Sequence, residues 1–272
     1  MKYGFVAPPL DANEIVNLAV EAEQAGWDGF FISESMWSVD AWICLTGAVM
    51  RTEYIRLGTL LSPLSIMRPW KLAIEAATLD QLSGGRVIVT VGMGAPDTGF
   101  AEWGEETDLH MRAERVDEGI DIIYRCWKGE PFSHQGKHYN IDLTHSHLVV
   151  PAPVQQPHIP IWVVGAWPRP KSMERTLRVD GIVPYIKPRG EEGRSPTPED
   201  ILAICNWLTE NRTTGTHFDI IVEGQTPGND PDRAREIIRE WENVGVTWWM
   251  ESWWGAAEDR IQRLRQGPPQ TG

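Results

Sequence analysis

Short apolar runs alternate with longer amphipathic segments along the chain, and this rhythm limits the folds that the chain can adopt. Eight runs have the length of strands: 2–7, 28–33, 55–61, 86–92, 160–165, 181–185, 217–222 and 246–251. Most of them are unbroken, which is typical of strands buried on both faces of a parallel sheet. Eight helical segments follow them in turn: 11–25, 39–52, 69–83, 110–128, 169–178, 197–212, 230–244 and 256–266.

Strict alternation of eight strands and eight helices is compatible with a barrel or with a doubly wound sheet. The count of eight favours a barrel, and 272 residues suit one barrel with inserted rim loops. We therefore predict a protein of the α/β class, with a single (β/α)8 TIM barrel over residues 1–272. Loops 93–109 and 186–196 follow strands, so we expect them to cover the C-terminal face of the barrel. Loop 129–159 follows a helix and is expected nearer the opposite face.

Composition excludes several classes of function. The net charge of −13 argues against a nucleic-acid partner, which would need clustered basic residues. No run approaches the roughly 18 apolar residues that a membrane span needs. The three cysteines are far apart and form no CxxC pair, so we expect neither a disulfide framework nor a zinc site. The N-terminal run is broken by Pro8 and Pro9 and does not resemble a signal peptide, which predicts a cytoplasmic protein.

Several short motifs occur in one order along nearly the whole chain. The most specific is Ala76–Arg86 (AATLDQLSGGR), which leads into Val91–Gly94. The others are Ala25–Phe31, Ile55–Thr59, Glu118–Ile123, Trp127–Phe132, Pro151–Pro157 and Pro160–Val163. With these motifs the chain resembles the luciferase-like monooxygenase family, the LLM class of flavin- and F420-dependent oxidoreductases.

The resemblance implies a barrel enzyme, often a homodimer, that acts on a small organic substrate. Three functions stay open. The leading one is a monooxygenase that uses reduced FMN and oxygen, with a separate flavin reductase as a possible partner. The first alternative is hydride transfer with the deazaflavin F420, whose acidic tail would favour basic residues such as Arg169, Lys171, Lys187 and Arg189. The second is a flavin-binding protein without catalysis.

Three strand ends are the predicted cofactor contacts. The first consists of Thr59, Leu60, Leu61 and Ser62, where the resemblance implies a bulge, sometimes with a non-proline cis peptide, against the flat ring. The second consists of Gly92, Met93 and Gly94, whose small residues would let a ring approach the backbone. The alternatives are an ordinary strand end and a tight turn. A dinucleotide fingerprint is a poor explanation, because its third glycine is replaced by Asp97.

The third predicted contact consists of Gly165, Ala166, Trp167 and Arg169. The resemblance implies that backbone amides here bind the cofactor phosphate at a helix N-terminus. Pro168 and Pro170 remove two N–H donors, so a simple capped helix start is the alternative.

Glu34 is the predicted acid or base, because an apolar rim raises the pKa of a carboxyl group. The resemblance implies a histidine at the next position, where this chain has Ser35. The alternative is a strand-end carboxylate paired with an arginine. His110, at the start of the fourth helix with Arg112, is the second catalytic candidate, and its alternative is a solvated helix start.

Aromatic and acidic residues near the rim are the predicted substrate contacts: Trp37, Trp103, Trp253 and Glu251. Aromatic rims suit flat apolar ligands. His145 and His147 have a spacing that could hold a metal on a strand, but no third ligand is evident, so no metal site is predicted.

Overall fold

The computed structural model of the protein describes residues 1–95, 99–146, 150–213 and 215–269. In this part of the chain the strands are β1 Lys2–Val6, β2 Gly29–Ile32, β3 Arg56–Pro63, β4 Val87–Gly92, β5 Ser133–Gln135, β6 Asn140–Asp142, β7 Ile161–Trp167, β8 Gly181–Ile186, β9 Asp219–Gly224 and β10 Trp248–Glu251. The helices are α1 Ala12–Gln24, α2 Ala41–Val49, α3 Pro69–Ser83, α4 Leu109–Trp127, α5 Pro170–Thr176, α6 Pro198–Asn211, α7 Pro231–Asn243 and α8 Ala257–Arg265.

Eight of the strands are parallel and close into a barrel in the order β1-β2-β3-β4-β7-β8-β9-β10. Strand β1 closes it by pairing with both β2 and β10. Each barrel strand corresponds to one of the eight apolar runs, so the predicted (β/α)8 fold is confirmed. No helix in the described ranges is long and apolar enough to cross a membrane.

The ends of helix α3 follow the chemistry of its sequence. Pro69 occupies its first turn, where a missing N–H costs nothing. Gly84 ends it at a φ of 67°, the left-handed conformation that glycine adopts most readily. Helix α5 is shorter than the predicted segment 169–178, since only seven residues are helical.

Loop 129–159 contains a small antiparallel hairpin, β5–β6, that the sequence did not predict. Each strand has three residues with an alternating pattern of exposure, which is too short for a periodic signal. The Glu118 carboxylate on α4 holds the turn by accepting the backbone N–H groups of Lys137 at 2.8 Å and of His138 and Tyr139 at 3.1 Å.

Side chains alternate between the interior of the barrel and the surrounding helices with the period of two that strands impose. The interior cluster consists of Val6, Phe31, Leu60, Ile88, Trp162, Val183, Ile221, Trp248 and Met250. Phe31 stacks on Trp162 with ring centroids 5.6 Å apart, and Trp162 meets Trp248 edge-on at 5.3 Å. Because these aromatic rings fill the inner barrel, space for a ligand is left at the C-terminal ends of the strands.

The motif Ala76–Arg86 has a structural role. The fully buried Asp80 accepts hydrogen bonds from the backbone N–H of Val154 at 2.7 Å and of Gln155 at 3.0 Å, and from Gln155 Nε2 at 2.7 Å. Arg86 donates to the carbonyl groups of Thr52 at 2.9 Å and of Ile55 at 3.0 Å. Two motifs that carry the family resemblance thus bind each other and fix the segment that leads into β7.

We predict that Asp80→Ala lowers the free energy of unfolding by about 2–4 kcal/mol, because it removes a fully buried carboxylate that accepts three hydrogen bonds from Val154 and Gln155. Urea denaturation measures the change. Asp232→Ala is the matched control, since the Asp232 side chain is 93% exposed and its ion pair with Arg235 is worth about 0–1 kcal/mol. Equal losses in the two variants would contradict the assigned role of Asp80.

Candidate active site

Strand β3 carries a bulge where it passes the mouth of the barrel. Thr59 pairs with Val89 and Ser62 with Val91, so three residue steps of β3 oppose two of β4. The peptide bond between Leu60 and Leu61 is cis, and both features match what the resemblance implied. Leu60 belongs to the interior cluster. The Leu61 side chain lies against Gly92, where an added Cβ would be 3.0 Å from its Cδ2 atom.

The end of β2 is bound to this bulge. The Ser33 hydroxyl donates to the carbonyl oxygen of Leu60 at 3.1 Å, and the Glu34 N–H donates to that of Leu61 at 3.4 Å. The Ser62 hydroxyl, which lies 3.0 Å from Thr59 Oγ1, donates a short hydrogen bond to Glu34 Oε2. The bulge and the carboxylate therefore form one hydrogen-bonded unit.

Glu34 also accepts a hydrogen bond from Trp42 Nε1 on α2 at 3.1 Å. Burial raises the pKa of Glu34 above its ordinary value; the hydrogen bonds from Ser62 and Trp42 lower it, and the charge of Asp40 raises it further. Among the described residues, no arginine forms an ion pair with this carboxylate. The arrangement differs in this respect from the arginine-paired alternative, and it suits a group that exchanges a proton with a ligand.

Glu34 faces a cavity of about 210 Å³ at the ends of β2, β3 and β4. Its lining is mostly apolar: Glu34, Ser35, Met36, Leu61, Pro63, Ile66, Met67, Gly94, Ala95 and Phe100. Cavities for whole organic ligands measure about 300–1,000 Å³, so this one would hold part of a cofactor or a small substrate. It brings together three predicted site residues, Glu34, Leu61 and Gly94.

The segment Gly92–Gly94 is fixed by the protein itself. Arg112, only 1% exposed, donates to the carbonyl oxygen of Gly94 at 2.8 Å and lies 4.5 Å from the Phe100 ring centroid. The Ser65 hydroxyl donates to Met93 O at 2.7 Å. Gly94 has a φ of 74°, and an added Cβ would lie 2.6 Å from Phe100. The two glycines thus make room for Leu61 and Phe100, and Arg112 holds the loop in place.

His110 lies apart from this cavity. Its side chain is exposed in the first turn of α4, and its N–H donates to the capping carboxylate of Asp108 at 2.9 Å. This placement fits the solvated helix start that the sequence left open. His147 and Asp97 lie outside the described residues.

The end of β7 offers fewer free donors than the sequence indicated. The N–H of Ala166 donates to the Ser172 hydroxyl at 2.9 Å. The Arg169 guanidinium donates to the carbonyl oxygens of Lys187 at 2.8 Å and Pro188 at 3.1 Å. Gly165 is packed against Ile182, 2.5 Å from where its Cβ would be. The charge of Arg169 remains at the rim beside Trp167, but much of its hydrogen bonding is used to hold the next loop.

Aromatic residues from two rim loops meet above the β2–β4 side of the mouth. Trp37 and Trp103, 63% and 58% exposed, have ring centroids 5.5 Å apart. Trp253, on the loop after β10, is half-buried and lies 5.7 Å from the Arg260 guanidinium. Both places are accessible from the mouth, and their role as substrate contacts stays a prediction.

Glu251 does not face the mouth. Its neighbour Met250 belongs to the interior cluster, so the alternation of β10 turns Glu251 towards the helices, where it is fully buried. It accepts hydrogen bonds from the N–H and hydroxyl of Thr226, both at 2.6 Å, from Trp249 Nε1 at 3.2 Å and from Arg263 at 3.4 Å. These contacts assign it a structural role, and we leave it out of the site.

Sequence reasoning missed Glu223, an acidic residue on the neighbouring strand β9 that, unlike Glu251, faces the mouth. It pairs in register with Met250 and follows Ile221 by two residues, and both neighbours point into the barrel. Counting two residues on from an inward position of β9 would have found it, but the sequence alone did not identify which residues of β9 point inward.

Two larger cavities, of about 510 and 490 Å³, lie at the opposite end of the barrel. They share Tyr124, and the second is bounded by His158, Asp180 and Asp219, which precede or begin strands β7, β8 and β9. Active sites of (β/α)8 barrels lie at the C-terminal ends of strands, so size does not make either one the candidate.

The chain belongs to the luciferase-like monooxygenase family, whose sequence model matches residues 4–195. It is 36% identical over 143 residues to Rv3520c of Mycobacterium tuberculosis, whose name assigns it to the coenzyme F420-dependent oxidoreductases; the match covers 52% of this chain and 40% of that protein. It is 28% identical over 265 residues to the F420-dependent glucose-6-phosphate dehydrogenase of Microbacterium testaceum, covering 91% of this chain and 74% of that enzyme. The match with Rv3520c therefore spans less than half of that protein.

Two solved structures share the fold. The monooxygenase RslO1 from Streptomyces bottropensis has a TM-score of 0.78 at 20% identity, covering 98% of this chain and 97% of that one. The coenzyme F420-dependent tetrahydromethanopterin reductase from Methanopyrus kandleri has a TM-score of 0.78 at 18% identity, covering 98% of both chains.

We predict that Glu34→Gln stabilises the protein increasingly as the pH rises. Because the pKa of Glu34 is raised, the folded state keeps a proton that the unfolded chain loses above the ordinary value of 4.5, so stability falls as the pH rises through this interval. Glutamine does not titrate and escapes this loss. Urea denaturation from about pH 4 to about pH 8 measures the difference between variant and wild type. The exposed Glu240→Gln is the control, and a difference that is constant or reversed would contradict the assignment.

Proposed function

We propose that the protein is an oxidoreductase that binds F420 in the mouth of the barrel and acts on a small organic substrate. The observation that carries the proposal is the bulge of β3, which places Leu61 in the cavity lining beside the Glu34 carboxyl group, with Leu60 next to it in the interior cluster. The choice of F420 is supported by the names of the relatives in Mycobacterium and Microbacterium. When bound, this cofactor supplies hydride transfer.

The residues of the site have distinct roles in this proposal. Leu61 forms the apolar wall against which a flat ring packs, and Leu60 supports it from the interior cluster. Glu34 holds or accepts a proton at its carboxyl oxygens, since burial raises its pKa. Ser62 and Trp42 fix the orientation of that carboxyl group. The mostly apolar cavity keeps water from the reacting groups.

Basic residues near the ends of β7 and β8 support an acidic cofactor tail. Arg169 and Lys187 are half-buried at the rim, and Lys171 and Arg189 are exposed nearby. These side chains suit a phosphate by charge. A backbone cradle contributes less, because the N–H of Ala166 already has a partner and two positions are prolines.

A monooxygenase that uses reduced FMN is the second candidate function. Membership of the luciferase-like monooxygenase family and the mostly apolar lining of the 210 Å³ cavity favour it. A separate flavin reductase would then supply the reduced cofactor. A flavin-binding protein without catalysis is the third candidate, because Ser35 replaces the histidine that the resemblance implied.

Titration of the purified protein with F420, FMN and reduced FMN tests the proposal. We expect F420 to bind most tightly, and Leu61→Trp to weaken its binding about ten-fold or more, because the larger ring occupies the mouth. Leu202→Trp is the matched control, since Leu202 is exposed on α6, away from the mouth. Preference for reduced FMN would favour the second candidate. Binding of none of the three, or equal binding by both variants, would contradict a cofactor site at the bulge.

We also propose that the chain forms a homodimer through helices α2 and α3. These neighbouring helices and the turn after α2 expose a set of large apolar side chains: Ile43, Met50, Tyr54, Ile74 and Leu82, with exposed fractions from 39% to 71%. Exposed apolar surface of this kind is costly in water and marks association sites. A second copy, related by two-fold symmetry, would cover it with an identical face.

We expect Ile43→Lys to shift the protein to the monomer in sedimentation or light-scattering measurements. The new charge would have to be desolvated at the centre of the paired helices. Leu202→Lys adds the same charge on α6, and this variant should have the same mass in solution as the wild-type dimer. A monomeric wild type, or a dimer that resists Ile43→Lys, would contradict this interface.

A further inference from the structure

The wall of the mouth opposite Glu34 carries a second carboxyl group that the roles above do not use. Glu223 is the next-to-last residue of β9 and is exposed to the mouth, whereas Ile221, two residues earlier, is fully buried inside the barrel. Its register partner on β10, Met250, is also fully buried inside. Since register partners on parallel strands point to the same side, the Glu223 carboxyl group stands above the packed interior, at the level where a ligand would lie.

Two polar groups from neighbouring elements face this carboxyl group. Ser252, which follows β10, lies beside the end of β9, since its N–H donates to the carbonyl oxygen of Gly224 at 2.8 Å, and the charge of the Arg260 guanidinium acts on Glu223. The surrounding protein raises the pKa of Glu223 by desolvation, while Ser252 and Arg260 lower it. Arg260 comes from α8, is 6% exposed, and donates to the carbonyl oxygen of Val6 at 2.7 Å. Within the described ranges, its buried Nε atom has no hydrogen-bond partner.

A neighbouring pair shows what a purely structural carboxylate looks like in this fold. Glu251, one register step further along β10, is fully buried and accepts hydrogen bonds from Thr226, Trp249 and Arg263. Glu223 differs in being open to the mouth. Arg260 differs in keeping a buried donor that has no partner among the described residues. A buried donor of this kind costs free energy unless a ligand satisfies it, so the Glu223 and Arg260 pair has spare bonding capacity where the Glu251 pair has little.

We propose that Glu223, Ser252 and Arg260 form the subsite that orients the substrate, and that they select a neutral molecule by its hydroxyl or carbonyl oxygen. A hydroxyl group can donate to the carboxylate and accept from the guanidinium, and a carbonyl oxygen can accept from the guanidinium. The half-buried Trp253 ring, 5.7 Å from Arg260, supplies an apolar surface beside this oxygen. This subsite rests on the proposed function, since it needs a cofactor on the opposite wall to be productive.

The Glu223 carboxylate also determines what the subsite rejects. Arg260 alone would attract a phosphate or carboxylate group, but the adjacent negative charge of Glu223 offsets that attraction and repels anions. Removing the charge while keeping the shape should therefore make the subsite accept anions. If Glu223 had only a structural role, removing its charge would not shift the preference from neutral compounds to anions.

The test uses the full chain and a panel of short-chain and cyclic alcohols and ketones, together with their carboxylate and phosphate counterparts. Ligand-observed NMR gives the affinity of each compound. We expect the wild type to prefer the neutral compounds. Glu223→Ala should weaken their binding about ten-fold or more, which corresponds to about 1.4 kcal/mol. Glu223→Gln should weaken it less and should bind the carboxylates about five-fold more tightly than the wild type does.

Glu240→Ala, on the exposed face of α7, is the matched control and should behave as the wild type. A thermal unfolding scan of each variant establishes that it is folded. A wild type that prefers anions, or that binds none of the neutral compounds, would overturn the proposal, as would neutral binding that survives Glu223→Ala. A parallel F420 titration separates the subsite from the proposed cofactor. F420 should bind equally to the wild type, Glu223→Ala, Glu223→Gln and Glu240→Ala. If F420 binds none of them while the panel results hold, the proposed cofactor fails and the subsite stands.

Discussion

The extra residue of β3 between Thr59 and Ser62 is the constraint on which the mouth of the barrel depends. In a regular strand Leu60 and Leu61 would point to opposite sides, and only one of them could face a ligand. The bulge lets Leu60 join the interior cluster while Leu61 lies against Gly92. It also directs the Ser62 hydroxyl to Glu34. The backbone and the Ser33 side chain of the neighbouring strand end then bind the two leucine carbonyl groups.

The mouth built on this bulge has two polar walls of different character. On one side, Glu34 accepts hydrogen bonds from Ser62 and Trp42 and faces an apolar cavity. On the other, Glu223 is open to the mouth and has Arg260 as its counter-charge. Desolvation raises the pKa of both carboxyl groups, and the charge of Arg260 lowers that of Glu223. Carboxyl groups in different environments can serve different roles, and the roles that we propose here are proton transfer for Glu34 and substrate orientation for Glu223.

The family motifs support this mouth from a distance. Asp80 and Gln155 bind each other at the start of the segment before β7, and Arg86 holds the turn before β3. Arg112 donates a hydrogen bond to the carbonyl oxygen of Gly94. These residues fix the positions of the strand ends without lining the cavity, which explains why the most specific stretch of sequence says little about chemistry.

The fold could be predicted from sequence because its strands are unbroken apolar runs that only a doubly covered parallel sheet explains. The glycine cap at Gly84 was likewise readable, since a left-handed helix end needs that residue. The bulge came from the family resemblance, not from residue pattern. The β5–β6 hairpin was missed because strands of three residues carry almost no periodicity.

The misplacement of Glu251 and the omission of Glu223 have one physical cause. A strand turns successive side chains to opposite faces, so an error of one residue in the inward register exchanges site residues for residues that pack under helices. An unbroken apolar strand such as β10 has no alternation from which to read that register. In the structure Met250 points into the barrel. Its neighbour Glu251 therefore points towards the helices, and its register partner Glu223 points to the mouth.

A crystal structure of the protein soaked with F420 would show whether the bulge of β3 forms the cofactor wall. We expect the deazaflavin ring to lie within about 4 Å of Leu61, the distance of direct apolar contact, with Glu34 beside it. Ring density at the opposite end of the barrel, in the cavity bounded by His158 and Asp180, would contradict it.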